Sequence, residues 1–220
     1  MFIQTLESRT LMSASVDSTV NTAVAADRIQ VHADLLQFRS DLYSAQATMM
    51  KDVSALVADD VKKDTLLSPL FKKLRVNLNA MHKALKADRM SEGANVLADE
   101  ATILAAQAKY HADAGNATAR KADRKAIVSA RIQLQTDEIA GLNARLTERQ
   151  NDYTVIFNTL TAIANAVDSD AGASAQVKAD VHTFVTDKTN ILNTFTAALQ
   201  KIITDRTQLV TDLTALESSL

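Results

Sequence analysis

The sequence predicts an all-α protein, an elongated antiparallel up-down four-helix bundle made of coiled-coil-like helical hairpins. Three observations carry that prediction. Apolar residues recur in alternating steps of four and three at Val128, Ile132, Ile139, Leu142, Leu146, Tyr153, Ile156, Leu160, Ile163 and Val167, with Gln135 and Arg149 filling the missing steps. The rhythm resumes at Val177, Val181, Phe184, Ile191, Phe195, Ala198, Ile202, Leu209, Leu213, Leu216 and Leu220, with Lys188 and Asp205 as its polar steps. A period of 3.5 belongs to long helices packed side by side. Finally, four Gly, one Pro and 4% aromatic residues in 220 leave few turns and no material for a sandwich or barrel.

The first helix is expected over about 18–60, because Asp17 or Ser18 can accept hydrogen bonds from the free N–H groups of a first turn. Its seam reads Val24, Val31, Leu35, Phe38, Leu42, Ala45, Met49, Val53 and Leu56. The second helix is expected over about 66–113. Ser68 before Pro69 is either its N-cap or a kink in a helix begun at Val61. Its seam starts at Leu67, Phe71, Leu74, Leu78, Met81 and Leu85, skips to Met90 and continues through Ala94, Leu97, Ala101, Leu104, Ala108 and His111. That skip beside Gly93 predicts a bend or break near 88–93. Turn signals at Ala114-Gly115-Asn116 and at 168–172 bound a third helix over about 118–168 and a fourth over 173–218.

Two stretches hint at a duplicated hairpin. Residues 28–34, RIQVHAD, parallel residues 131–137, RIQLQTD, and Val61-Lys62-Lys63-Asp64 parallels Val177-Lys178-Ala179-Asp180, each leading toward an Asp-Arg pair at 88–89 or 205–206. Helices of about 40 to 50 residues make a rod roughly 60 to 75 Å long, and short loops force neighbours antiparallel.

Residues 1–16 differ from the rest and form a separate targeting-like segment ahead of the 17–220 bundle. Leu6, Glu7, Arg9, Leu11, Ser13 and Ala14 resemble the LEPR-XLL motif at the N-termini of many exported planctomycete proteins, with Ser8 in place of Pro and Met12 in place of the second Leu. The resemblance implies an address, secreted or cell envelope, and no activity. No basic start and apolar core of an ordinary signal peptide precede it, and no run of 18 apolar residues predicts a membrane span.

The formal charge is −2 with both signs interspersed, so no basic face points to nucleic acid. No cysteine is present, which removes disulfides, thiolate metal sites and Cys nucleophiles. The four histidines, His32, His82, His111 and His182, lie at expected levels roughly 13 to 30 Å apart along the rod, too far to share a metal. No Glu has a His three residues later, which rules out a ferritin-like di-iron pattern, and no His-Glu-x-x-His, phosphate loop or Gly-x-Ser-x-Gly elbow occurs. No catalytic, cofactor or metal residues are therefore assigned.

The polar steps of the seam remain as candidates. Gln135 and Asp205 should share a level, and Arg149 and Lys188 should lie within a turn of each other. Such a layer sets helix register or lines a ligand site inside the bundle. Asn116-Ala117-Thr118 fits a turn and cap better than a glycosylation site, and Met49, Met50, Met81 and Met90 fit core filling. The leading expectation is a non-enzymatic exported structural or protein-interaction bundle, self-associating or binding a protein partner. The alternative is an amphipathic protein that lies on a lipid surface, though Trp is absent and no Lys/Arg-rich face is evident.

Overall fold

A computed structural model describes residues 18–220, with side chains throughout except at positions 18, 19 and 88–92. The targeting-like segment lies outside what is described, as do the side chains of Met90 and of the Asp88-Arg89 pair. Helices α1 (Ser18–Ala58), α2 (Leu67–Ala112), α3 (Ala117–Ser169) and α4 (Ala175–Ser219) account for nearly all of it, with one 3₁₀ turn at Val61–Lys63 between α1 and α2. At 41 to 53 residues each, the helices extend about 60 to 80 Å.

Each boundary has a local cause. The carboxylate of Asp64 accepts the N–H groups of Leu66 at 2.7 Å and Leu67 at 2.8 Å, so Asp64, rather than Ser68, ties down the start of α2. Pro69 then falls in the first turn, where its missing N–H has no helical partner to lose. The side chain of Asn116 caps α3 by accepting from the N–H of Ala119 at 3.0 Å, and Ser174 caps α4 by accepting from Val177 at 3.2 Å. Asp60 adopts a left-handed conformation, φ 54°, to turn the chain out of α1.

The helices do not close evenly around one axis. α1 packs on α4, α4 on α3 and α3 on α2, all antiparallel, while α1 and α2 do not pack along one another. The two halves therefore pack differently, since α3 and α4 form a packed hairpin and α1 and α2 do not. Three apolar clusters run along the molecule. Val24, Val128, Leu209, Leu213 and Leu216 fill one end, Leu142, Leu199 and Ile202 the middle. Leu56, Leu67, Leu74, Ile156, Leu160, Ile163, Val181 and Phe184 are part of the largest, near the α1–α2 and α3–α4 turns.

The seam expected in α3 and α4 is covered as predicted, and α4 buries Leu192, Leu199 and Arg206 besides, because it faces α1 and α3 at once. The outer helices follow expectation over Val24, Val31, Leu35, Phe38, Ala45, Met49 and Leu56 of α1 and over the seam from Leu67 to Leu85 of α2, and depart from it elsewhere. In α1, Leu42 and Val53 are exposed and Asp52 is buried, since a helix with one neighbour covers only a narrow strip. In α2, the helix continues unbroken through 88–93. Beyond that point Val96, Ile103 and Tyr110 turn toward α3, while Ala94, Leu97, Ala101, Leu104, Ala108 and His111 are exposed. The step from Leu85 to Val96 is eleven residues, three turns at 3.67 per turn, so the covered face changes phase there without a break in the helix.

Candidate functional site

The polar groups that link neighbouring helices fall into three layers. In the middle, the buried Arg206 donates to the amide oxygen of Gln135 at 2.6 Å and pairs with Glu138. Gln135 therefore meets Arg206 of α4 and not its neighbour Asp205. One residue, 100° of helical turn, swings Asp205 toward α1 instead. There Lys201 bridges it at 2.8 Å to Asp34 at 2.6 Å, joining α4 to α1. Those contacts hold the Asp205 carboxyl below its ordinary range, the hydrogen bond with Asp34 first and Lys201 after it.

The second layer gathers cations. Arg149 is buried in α3, and Lys188 of α4 and His82 of α2 lie close enough for the two cations to bear on the imidazole. Desolvation lowers the pKa of His82 first, with Lys188 and Arg149 adding to it, and desolvation alone lowers that of Lys188. The third layer locks the turn end of the α2–α3 hairpin. Asp123, almost fully buried, pairs with Lys109 at 3.0 Å. Tyr110 lies under the guanidinium groups of Arg120 and Arg124, 4.5 and 5.5 Å from its ring centre, and accepts hydrogen bonds from both.

The histidines do not meet. His182 bonds Asp168 at 2.8 Å near the α3–α4 turn, His111 rests edge-on to Tyr110, His82 faces the cationic layer and His32 sits half-buried on α1. Among the described residues no group of three or more His, Asp or Glu side chains could hold a metal. A shallow groove of about 280 Å³ between α1 and α4 is lined by Asp41, Thr48, Asp187, Asn190, Thr194 and Phe195, among others.

The feature that sequence reasoning missed is a set of carboxylates facing carboxylates across helix boundaries. Asp27 meets Asp212 and Asp59 meets Asp180 between α1 and α4, and Asp99 meets Asp137 between α2 and α3. One oxygen of each of Asp27, Asp59 and Asp99 is sealed from water with no hydrogen-bond partner. Desolvation raises all three pKa values first, and the facing carboxylate raises them further. Asp52 is raised likewise, by burial and then by Asp187. A signal was present: Asp27, Asp34 and Asp41 stand seven apart, as do Asp180 and Asp187, and Asp205 and Asp212. No helix is long and apolar enough to cross a membrane among the described residues. No protein-family model, curated protein or solved structure matches the chain, so the geometry above stands on its own.

Proposed function

We propose that the chain is a non-enzymatic structural protein of the secreted or envelope compartment, a helical rod that engages protein partners through the outer faces of α1 and α2. The observation that carries this reading is where apolar surface is spent. Of the exposed large hydrophobic residues, Ile29, Leu36, Leu42, Tyr43, Met50, Val53 and Val57 lie on α1 and Val76, Leu97 and Leu104 on α2, against Val155 alone on α3 and none on α4. Contiguous apolar surface on a folded protein marks contact sites. Export rests on the LEPR-XLL-like residues Leu6 to Ala14.

The exposed stripes also suit the second reading, amphipathic helices that open onto lipid. Flotation of the full chain with neutral and anionic phospholipid vesicles, with helicity followed in parallel, separates the two. The rod reading expects the protein to stay with the dense fraction and melt cooperatively. Co-flotation with helicity retained overturns it in favour of the lipid surface.

A further inference from the structure

The outer face of α1 carries a second heptad stripe. Ile29, Leu36, Tyr43, Met50 and Val57 stand seven residues apart and are 70, 49, 72, 66 and 49% exposed. Ala26, Ala33, Ser40, Ala47 and Ser54, also exposed, fill the alternate steps. At 3.5 residues per turn this stripe lies roughly 150° around the helix from Val24, Val31 and Phe38, which face α4. The acidic residues Asp27, Asp34, Asp41, Asp52 and Asp59 are all buried or half-buried, so none borders the stripe. Its flanks are neutral or basic: Gln30, His32, Gln37, Arg39, Ser44, Gln46 and Lys51.

We propose that this stripe pairs with the same stripe of a second copy of the chain, α1 against α1 and antiparallel, about a two-fold axis between Asp41 and Leu42. The stripe is complementary to itself only in that sense. Reversed on its own copy, it places every large residue over a small one: Ile29 over Ser54 of the partner subunit, Leu36 over Ala47 of the partner subunit, and Tyr43 over Ser40 of the partner subunit. Met50 then lies over Ala33 of the partner subunit and Val57 over Ala26 of the partner subunit. Small residues let two helices approach closely while large ones fill the gaps. The hydroxyl of Ser54 already donates to the carbonyl oxygen of Met50 at 2.8 Å, so covering it strands no donor.

The flanks agree. In antiparallel pairing like flanks meet, which sets Arg39 near Gln46 of the partner subunit and Lys51 near Gln30 of the partner subunit, with no like charges opposed. Covering the stripe on both copies removes on the order of 1,000 Å² from water, enough for a specific though modest interface. The inference deepens the scaffold reading by naming a partner, and rests on it only in treating the outer face of α1 as a binding face.

Sedimentation velocity of the full chain over about 1 to 100 µM tests it. A concentration-dependent dimer is expected, and Leu36→Lys with Met50→Lys should weaken it at least about a hundredfold with helicity unchanged. Because the chain has no cysteine, Leu36→Cys mixed with Ala47→Cys should crosslink under mild oxidation, while either alone should not. A monomer throughout that range, a dimer indifferent to the lysines, or self-crosslinking of Leu36→Cys as readily as the mixture would overturn the pairing. Failure here in a protein that stays off vesicles removes this partner and leaves the scaffold; co-flotation removes the scaffold itself.

Discussion

Facing carboxylates make the stability of this protein depend on pH in an unusual direction. Asp27, Asp59 and Asp99 hold protons more tightly folded than unfolded, because burial and then the opposite carboxylate disfavour a second charge. Their contribution is complete at and below the ordinary carboxylate value of 3.8 and is lost as pH rises through the raised values. Asp64 and Asp205 are lowered, the first mainly by the N–H of Leu67 and the second mainly by Asp34, so what they add is lost only in stronger acid. His82 runs against the acid pairs, since its lowered pKa removes stability as pH falls below its ordinary 6.5. With four raised aspartates, Asp52 among them, against one imidazole, thermal melts should place Tm higher at pH 5 than at pH 8. Asp27→Asn should raise Tm at pH 8 by roughly 1–3 °C and shrink that difference. Arg206 offers a second test by chemical denaturation: Arg206→Ala should cost about 3 kcal/mol by taking the buried cation away from Gln135 and Glu138, while leucine at Arg206, Gln135 and Glu138 together should recover most of it. Neither arrangement was evident beforehand, because residue type and spacing indicate a polar step but not which of two adjacent residues, Asp205 or Arg206, turns inward.

Helices were the legible part. Their ends agree with expectation to within about two residues because Asn116, Ser174 and the small-residue turns act locally, and helix ends are no sharper than that in any assignment. The faces of α3 and α4 were legible too, since each lies between two neighbours and its apolar residues have nowhere else to go. The outer helices were legible in part, because each carries two apolar stripes: the expected one faces inward over most of α1 and over Leu67 to Leu85 of α2, but not beyond Gly93. After Gly93, the run Ala94, Leu97, Ala101, Leu104 has the better heptad rhythm, yet Val96, Ile103 and Tyr110 are the residues covered. Tyr110 explains the choice: its hydroxyl reaches Arg120 and Arg124 of α3, which sets the rotation of α2 at that end. Ile103→Ala should therefore cost about 2–4 kcal/mol and the adjacent Leu104→Ala under about 1 kcal/mol in denaturant titrations of the full chain. The reverse order would restore the sequence-based face.

At the scale of the whole molecule, α3 and α4 form a central pair with α2 docked on one and α1 on the other. The two docked helices differ in how they are held. α2 shares with α3 the apolar residues Leu74 and Met81, the Lys109–Asp123 pair and the Tyr110 clamp. α1 covers few apolar residues and shares with α4 a row of carboxylates joined by Lys201. α1 is thus a two-faced helix, pH-dependently docked inside and apolar outside, on the central α3–α4 pair. Amide hydrogen exchange resolved by helix, in dilute protein at pH 5 and pH 8 and corrected for intrinsic chemistry, tests this most directly. The account predicts slowest exchange in α3 and α4 at both values, with α1 distinctly less protected at pH 8 than at pH 5. Protection of α1 equal to that of α4, unchanged between the two, would contradict it.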